Sequence, residues 1–355
     1  MKRINTELSV ILKDKIRSQG PLTFKEFMGA ALFDTVYGFY AQGPRIGSSV
    51  GPFDTNAKFP AFGFGLARGI TEAEQLIGTQ LRVLELGGGT GQLGKNILSF
   101  LPIPHEYVVL EPSRGLRASQ MEMGLQVVEK MAGLSPQPTF AFGNEVLDAL
   151  PVHRVMGMGH EEMMELYVVL DEESEFCEQP GPLSTPELAQ RLRREQVQLG
   201  RGQVAEICLE MKGFFQGLER VINPGYILFV DYGDSASNLY SYRHRNGTLR
   251  SYYRQQQIHD TFFAVGQQDL TADVDFTAVI TEARELGWEF AGSTSQGEWL
   301  KNLGIQEYVG AGADAGFKQK EVDLLTGAAS LGSTYDVLIF MTKGLTQAPG
   351  LKPML

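Results

Sequence analysis

Cysteine and histidine are scarce in this chain. It has two cysteines, Cys177 and Cys208, and five histidines among 355 residues. Two separate thiols are too few for a disulfide-stabilised scaffold and are typical of a protein from a reducing compartment. The histidines show none of the spacings with which paired ligands hold a metal ion. We therefore predict no metal site and a cytoplasmic location, with both cysteines serving as small packing residues.

Long apolar runs and an excess of positive charge are also missing. No apolar run approaches the roughly 20 residues that a membrane-spanning helix needs. Residues 1–20 have the pattern of an amphipathic helix rather than of a secretory signal. The net charge of −11 argues against a general nucleic-acid binder, because phosphate contacts need clustered lysine and arginine. Arg191, Arg193 and Arg194 form a candidate basic patch, although the solvated face of a helix explains them as well.

Strands and helices alternate through the middle of the chain. Short apolar runs at residues 81–86, 107–110, 140–142 and 226–230 predict buried strands, and residues 125–128 predict another. Helical patterns separate several of these runs, and one long helix is predicted over residues 203–222. Such alternation indicates βαβ units and a parallel sheet. We therefore predict an α/β, Rossmann-like fold.

A glycine-rich turn follows the strand predicted at residues 81–86. Gly87, Gly88, Gly89 and Gly91 lie where that strand turns into a helix. Glycine permits positive φ and lets a ligand approach the backbone closely. The N-terminus of the next helix offers free N–H groups to an acceptor. The pattern predicts a nucleotide-type cofactor in contact with Gly87, Gly89 and Gly91.

Two cofactors compete for this turn. Gly89, Gly91 and Gly94 match the GxGxxG pattern of dinucleotide sites. Glu85 opposes that reading, because a carboxylate repels a pyrophosphate and attracts the cationic amino acid end of S-adenosylmethionine. Glu111 ends the next strand and can bind the ribose hydroxyls of either cofactor. We predict that Glu85 and Glu111 bind S-adenosylmethionine; a nicotinamide oxidoreductase remains the rival, without a Tyr-x-x-x-Lys pair to support it.

Polar residues also follow two later strands of the predicted sheet. Asn144 and Glu145 follow the run at 140–142, and Asp231 follows the run at 226–230. The carboxyl ends of parallel strands meet at one edge, where α/β proteins bind ligands. Methyl transfer needs an oriented nucleophile and sometimes a base. We predict Asn144, Glu145 and Asp231 as catalytic residues, with Asn144 also touching the cofactor. Asp148 could assist or face solvent, and a helix N-cap at Asn144 is the structural alternative.

The ordered set of motifs resembles the MidA-type methyltransferases of bacteria and mitochondria. The matching segments are Pro21-Leu22-Thr23-Phe24-Lys25-Glu26-Phe27-Met28, Tyr37-Gly38-Phe39-Tyr40, Glu85-Leu86-Gly87-Gly88-Gly89-Thr90-Gly91, Leu116-Arg117 with Gln120, Asn144-Glu145-Val146-Leu147-Asp148-Ala149-Leu150-Pro151-Val152, Asp231-Tyr232-Gly233, Gly247-Thr248-Leu249-Arg250 and residues 269–276. The resemblance implies a class I methyltransferase fold with a mostly parallel seven-stranded sheet and S-adenosylmethionine as cofactor. It also implies a homodimer. The mitochondrial members methylate arginine in a complex I subunit during assembly.

The expected organisation has five parts. They are a helical N-terminal extension with a lid loop (1–65), a cofactor-binding core (66–152), an acidic inserted subdomain (153–200), the second half of the core with substrate-side loops (201–345) and a tail (346–355).

The segment after the opening block departs from the family pattern. The family usually has GDFxTSPE, whereas this chain has Pro52 in place of the aspartate and Asn56-Ala57-Lys58 in place of Ser-Pro-Glu. A carboxylate suits a guanidinium substrate through paired hydrogen bonds, and a lysine would repel it. Two alternatives stay open for Lys58: it attracts an acidic or neutral substrate, or it lies at the tip of a mobile lid.

Three functions stay open on these grounds. The first is a protein arginine methyltransferase. The second is an oxygen or carbon methyltransferase for a small molecule, whose apolar pocket Phe53, Phe59, Phe62 and Phe64 could line unless they are ordinary packing residues. The third is an assembly factor that binds S-adenosylmethionine or a partner without turnover and uses the acidic insertion as its contact surface.

Overall fold

The computed structural model describes residues 3–42, 55–159, 162–254 and 256–352. Its strands are β1 (Leu22–Thr23), β2 (Arg82–Leu86), β3 (Tyr107–Leu110), β4 (Gln126–Val128), β5 (Gln137–Asn144), β6 (His153–Gly159), β7 (Glu162–Leu170), β8 (Phe176–Gly181), β9 (Val204–Ile207), β10 (Ile222–Asp231), β11 (Gly233–Asp234), β12 (Arg250–Tyr253), β13 (Gln256–Ile258), β14 (Asp269–Thr271), β15 (Val274–Asp275), β16 (Glu289–Ser295) and β17 (Asp336–Met341). Its α-helices are α1 (Glu7–Gln19), α2 (Phe24–Phe33), α3 (Pro60–Ile77), α4 (Gln92–Phe100), α5 (Arg114–Glu122), α6 (Glu187–Arg194), α7 (Met211–Glu219), α8 (Ala236–Leu239), α9 (Phe276–Glu285), α10 (Gln296–Asn302), α11 (Ala315–Thr326) and α12 (Leu331–Thr334).

A seven-stranded sheet forms the centre of the molecule, in the order β16-β17-β10-β5-β2-β3-β4. The five strands from β10 to β4 run parallel, and β17 lies antiparallel to both β10 and β16. The predicted α/β fold with a mostly parallel seven-stranded sheet is confirmed. The chain leaves β2 toward β3 and later returns to its other side as β5. Ligands in open α/β sheets bind at such a reversal of strand order.

Helices cover both faces of this sheet. On one face Phe62 of α3 and Trp299 of α10 are fully buried, and on the other Phe215 of α7 and Val279 of α9 are. The central strands are apolar on both sides because both sides pack against helices. This explains why β2, β5 and β10 appear in the sequence as continuous hydrophobic runs.

Residues 153–207 contribute to a second, antiparallel sheet. Its order is β1-β7-β6-β9, with β8 pairing to β7. Strand β7 lies at the centre of two hairpins, because it pairs antiparallel with both β6 and β8. Leu188 and Leu192 of α6 pack into the apolar core shared with β6 and β9. The N-terminal extension joins this sheet through β1, so the two outlying segments form one structural layer.

The long helix predicted over residues 203–222 is wrong. The segment contains strand β9, helix α7 and the first residue of β10. The backbone of Val204–Ile207 pairs with His153–Met156 of β6, which lies far away in the chain. A periodic pattern cannot reveal such a long-range strand pairing, and tertiary context overrides local helical preference.

The lid loop expected to close the N-terminal extension at residue 65 ends earlier, because α3 begins at Pro60. Phe62 is fully buried, and Phe59 and Phe64 pack against the same core, which supports their interpretation as packing residues. Pro52 and Phe53 lie outside the described residues. In the part of the chain that the structure describes, no helix is long and apolar enough to cross a membrane.

The candidate basic patch is not a free surface. Arg191 is buried, and its Nη2 donates to Glu282 Oε1 at 2.7 Å. Arg194 donates to the same oxygen at 2.8 Å. These ion pairs join α6 to α9, so two arginines of the run hold the second sheet against the core.

Candidate active site

A cavity of about 1850 Å³ opens at the carboxyl ends of β2, β3, β5 and β10. The glycine turn, Glu85 and Glu111 line one part of it. Asn144, Glu145 and a set of tyrosines and acidic residues line another part. We call these the cofactor side and the acceptor side. Most of the predicted site residues therefore share one cavity, as the common edge of a parallel sheet requires.

The glycine turn begins the cofactor side. Gly87, Gly89 and Gly91 have φ values of 70°, 50° and 83°, which side chains other than glycine rarely adopt. Gly88 is required for a different reason, since a Cβ there would lie 2.5 Å from Cγ1 of Val109. Helix α4 starts at Gln92, directly after the turn. The turn therefore presents backbone to the cavity, with a helix N-terminus behind it.

Glu85 lies beneath this turn and is 2% exposed. Tyr107 donates a hydrogen bond from its hydroxyl to Oε2 of Glu85 at 2.8 Å. Burial raises the pKa of Glu85 to about 7, against the lowering effect of the Tyr107 hydrogen bond. A Cβ on Gly94 would lie 3.0 Å from Glu85 Oε2, so the last glycine of the GxGxxG match makes room for this carboxyl. The match to a dinucleotide pattern thus has a local packing reason.

Glu111 follows β3 and is 4% exposed. Its Oε1 accepts from the backbone N–H of Ser113 at 3.0 Å, and its Oε2 accepts from Nε2 of Gln120 at 3.2 Å. The same Nε2 donates to the carbonyl of Gly89 at 2.9 Å, which links Glu111 to the glycine turn. Burial raises the pKa of Glu111, and these hydrogen bonds oppose the rise. The sequence motif alone indicates no role for Gln120, whose fully buried amide links the two cofactor-side elements.

Asn144 and Glu145 end β5 at the boundary between the two sides. Asn144 Nδ2 donates to Glu145 Oε1 at 3.1 Å, and Thr55 Oγ1 donates to the same oxygen at 2.6 Å. The hydroxyl of Tyr335 also donates to Glu145. Glu145 has a φ of 51°, an unfavourable value for a non-glycine residue. Its carboxyl is thereby held in one orientation by three donors from three segments, while burial raises its pKa.

The proposed helix N-cap at Asn144 is wrong. No helix lies between β5 and β6, and residues 145–150 form bends and turns instead. Asp231 determines this path, because its Oδ2 accepts from the backbone N–H of Leu147 at 2.9 Å and its Oδ1 from that of Tyr232 at 3.0 Å. Asp231 is fully buried, and burial raises its pKa to about 7. Its contacts are with the backbone, and its predicted catalytic role stays a prediction.

Asp148 does not face solvent, which corrects one of the two expectations for it. It is 4% exposed and lines the cavity, and Oδ2 accepts a hydrogen bond from the hydroxyl of Tyr232. Burial is the main cause that raises its pKa well above the usual range, and the charges of Asp231 and Glu145 add to it. Arg250 stacks over the ring of Tyr232, 4.8 Å from its centroid, and pairs with Asp273.

Two buried acceptor atoms of this cavity lack a donor. Within the described residues, neither Oδ1 of Asn144 nor Oδ1 of Asp148 has a hydrogen-bond partner. Buried acceptors normally receive a hydrogen bond, and a buried acceptor without one costs about 1–3 kcal/mol. Both belong to side chains that line the cavity, so a bound molecule with N–H or O–H donors is the expected partner.

The segment that departs from the family pattern has a structural role in its described part. Asn56 is fully buried and donates to Oε1 of Gln296 at 2.6 Å, which fixes the short helix Asn56–Lys58 to α10. Lys58 lines the cavity, and its Nζ lies 5.0 Å from the ring centroid of Phe59. The positive charge at residue 58 is thus directed onto an aromatic face.

This donor set fits S-adenosylmethionine. The turn exposes backbone N–H groups, Glu85 offers a carboxyl to a cationic amino acid end, and Glu111 offers one to ribose hydroxyls. A pyrophosphate would instead meet a buried carboxyl under the turn, which its negative charge disfavours. The fold and the site together define the class: this is an S-adenosylmethionine-dependent methyltransferase with a Rossmann-like core.

Comparison with known proteins identifies the family. Residues 66–294 match the model of a family of S-adenosyl-L-methionine-dependent methyltransferases, and the chain belongs to this family, of MidA type. The mitochondrial protein arginine methyltransferase NDUFAF7 of Rattus norvegicus is 27% identical over 333 residues, 82% of this chain and 72% of that protein. Its homologue in Caenorhabditis elegans is 27% identical over 84% of this chain and 76% of that protein.

A solved structure supports the same assignment. A Burkholderia thailandensis protein, crystallised with S-adenosylhomocysteine, is 27% identical and superposes with a TM-score of 0.86 over 99% of this chain and 97% of that one. The cofactor, the fold and the transfer of a methyl group are thereby established for this chain.

Proposed function

We propose that the methyl acceptor is a guanidinium nitrogen of a protein arginine. Glu145, Asp148 and Asp269 all line the acceptor side, so the cavity offers several carboxyls to a cationic group. Arg250 also lies there, but Asp273 pairs with it. The mitochondrial relatives bear the name of protein arginine methyltransferases, which points to the same chemistry.

The observation that carries this proposal is the pair of buried oxygens without donors, on Asn144 and Asp148. A guanidinium brings five N–H donors in a fixed planar arrangement and can satisfy both oxygens at once. A hydroxyl acceptor brings one donor, and a carbon acceptor brings none. The unmatched oxygens therefore favour arginine over an oxygen or carbon acceptor.

The same contacts indicate a separate role for each of the acceptor-side residues. S-adenosylmethionine supplies an electrophilic methyl group on its sulfonium. The amide oxygen of Asn144 orients the attacking nitrogen, and Glu145, held by three donors, pairs with the guanidinium. A new N–CH3 bond forms as the C–S bond breaks, and the nitrogen must lose one proton. Asp148 has an unpartnered oxygen and a raised pKa, both of which suit it to accept that proton.

The remaining predicted residues have supporting roles in this proposal. Gly87, Gly89 and Gly91 pack against the cofactor. Glu85 binds its amino acid end, and Glu111 binds its ribose. Asp231 acts indirectly, because it holds the backbone of Leu147 and thereby places Asp148. Lys58 also lines the cavity, where Glu145, Asp148 and Asp269 outnumber its single positive charge.

We further propose a cytoplasmic homodimer that does not bind nucleic acid. The net charge of −11 supports the last point. The location rests on the low cysteine content, and the dimer on the family resemblance. Light scattering of the purified protein tests the dimer, and a mass of one chain would contradict it.

The test of the acceptor is a transfer assay with a labelled methyl donor. We would offer peptide libraries in which arginine is kept, or replaced by lysine or by neutral citrulline. We expect label on arginine peptides alone, and a loss of at least a hundredfold in the Asp148→Asn variant with S-adenosylhomocysteine binding retained. Tyr242→Phe is the matched control, because Tyr242 is 71% exposed and outside the cavity lining. Transfer to citrulline or to small hydroxyl compounds instead would refute an arginine acceptor.

A further inference from the structure

Tyr40 occupies a position between the two sides of the cavity. It begins the short 3-10 helix Tyr40–Gln42, which follows α2 in the N-terminal extension. Its ring stacks on Phe33 with centroids 5.4 Å apart and meets Phe39 edge-on at 5.1 Å. These contacts fix the ring, and Tyr40 lines the cavity.

Two hydrogen bonds connect Tyr40 to opposite sides. Its carbonyl accepts from the hydroxyl of Ser113 at 2.7 Å, and the N–H of Ser113 donates to Glu111 at 3.0 Å. Its own hydroxyl donates to Oδ1 of Asp269 at 3.2 Å. A continuous path of three hydrogen bonds thus runs through Ser113 and Tyr40, from the ribose carboxylate, Glu111, to an acceptor-side carboxylate, Asp269.

Burial and the surrounding charges keep the Tyr40 phenol in its protonated form. Burial, Asp269, Asp148 and Glu111 all raise the pKa of the Tyr40 phenol well above its ordinary value. The phenol therefore stays protonated and acts as a donor toward Asp269.

Several neighbouring groups shift the pKa of Asp269. Burial raises its pKa to about 6, its own neighbour Leu270 lowers it through a backbone N–H, and Tyr40 lowers it through the phenol. Glu145 on the loop after β5 raises it, and Asp148 on that loop and Tyr252 of β12 also interact with its charge. Removing the phenol donor therefore leaves a carboxyl that is harder to ionise.

We propose that Tyr40 is a positioning residue, which holds the Asp269 carboxylate toward the methyl acceptor and ties it to the ribose-binding segment. The proposal rests on the proposed function, because it assigns the Asp269 carboxylate to the binding of a cationic acceptor. It gives the N-terminal extension a role in the reaction, since α2 and the short helix after it supply the residue that spans the site.

The test is Tyr40→Phe, which removes only the hydroxyl. We expect KM for an arginine peptide to rise about tenfold, with kcat and S-adenosylhomocysteine affinity changed less than about twofold. Asp269 must be ionised to attract a cation, so in a profile of KM against pH at saturating S-adenosylmethionine the KM for the peptide rises as acid protonates Asp269, whereas protonation of Asp148 acts on kcat. The acid limb of that profile should move to higher pH in the variant, which a purely structural loss would not cause. Tyr242→Phe, on an exposed ring, should leave KM and the limb unchanged.

A double-mutant cycle with Asp269→Asn isolates the route. If Tyr40 acts through Asp269, adding Tyr40→Phe to Asp269→Asn should raise KM little further. Independent, multiplying effects or an unmoved acid limb would overturn the proposal.

A measurement without substrate separates this proposal from the proposed function. Carbon NMR of labelled aspartate, with Asp269→Asn to assign the signal, reports the titration of Asp269 in the free protein. A higher pKa in Tyr40→Phe is expected, and an unchanged one would overturn the proposal even if arginine peptides are methylated. If the wild type methylates no arginine peptide, the proposed acceptor fails, and this titration still decides whether Tyr40 governs Asp269.

Discussion

Replacing Glu85 with glutamine should remove a pH dependence from cofactor binding. Glutamine keeps the shape of the side chain and an oxygen that can accept from Tyr107, but it cannot ionise. In the wild type the pKa of Glu85 is raised to about 7, so its charge changes in the range where binding can be measured. An ionised carboxylate attracts the ammonium of the ligand, and a protonated one does not.

The size of the effect follows from that pKa. A carboxyl with a pKa of about 7 is about three-quarters ionised at pH 7.5 and about 3% ionised at pH 5.5. If only the ionised form binds well, S-adenosylhomocysteine affinity falls about 25-fold over this interval. Glu111 also titrates, but it does so in both proteins. The wild type should therefore lose about 25-fold more affinity than Glu85→Gln between these pH values.

Glu85→Gln should stabilise the unliganded protein, although it weakens ligand binding. Because the folded state raises the pKa of Glu85 above its ordinary value of 4.5, the folded state binds the extra proton. The stability that Glu85 contributes is complete below about pH 4.5 and is lost as the pH rises through about 7. Glu85→Gln should therefore raise the melting temperature at pH 8 while it weakens ligand binding.

Calorimetric titration with S-adenosylhomocysteine at five pH values, with melting curves of the free proteins, measures both signs. A variant that melts higher and binds worse cannot be explained by misfolding. An identical fall of affinity with acid in both proteins would refute the assignment of this titration to Glu85. Binding of NAD in place of S-adenosylhomocysteine would contradict the site as a whole.

Two further predictions concern the framework of the site. Asp231→Asn keeps one acceptor oxygen but sets an N–H group against a backbone N–H of Leu147 or Tyr232, so urea unfolding should show a loss of about 1–3 kcal/mol, and an unchanged midpoint would contradict the anchoring role. Gly88→Ala places a Cβ 2.5 Å from Val109, so the turn must shift and S-adenosylhomocysteine affinity should fall at least tenfold. Gly213→Ala in α7, where an added Cβ meets nothing within 4 Å, is its control and should bind normally.

Local pattern was sufficient for the core elements. Runs such as residues 81–86 and 226–230 must be buried on both faces, and strands of a parallel sheet meet that demand. The clustered glycines predict the backbone geometry of one turn. Their spacing to Glu85 and Glu111 then indicates a methyl donor, because these residues are close in the chain and need no tertiary contact to be recognised. The family resemblance added the number of strands in the sheet, which periodicity alone does not contain.

Contacts between distant segments decided the rest. Local pattern predicts a helix at β9 because the pairing partner of this strand, β6, lies some fifty residues earlier, outside any local window. The sequence does not determine the environment of Asp148, since only the packing of Asp231 and Tyr232 against its loop buries it.

The acceptor side shows most clearly what the sequence determines and what only the tertiary structure decides. The residue types at the strand ends predict that a methyl donor binds and that Asn144 and Glu145 share its cavity, and the structure places both residues in the cavity that the glycine turn lines. The tertiary structure decides which carboxyl is surrounded by donors, which one keeps an unpartnered oxygen, and which one depends on Tyr40. These contacts join segments up to 229 residues apart in the chain. Hydrogen bonds and desolvation act over a few ångströms of space, so only the folded chain assigns those roles.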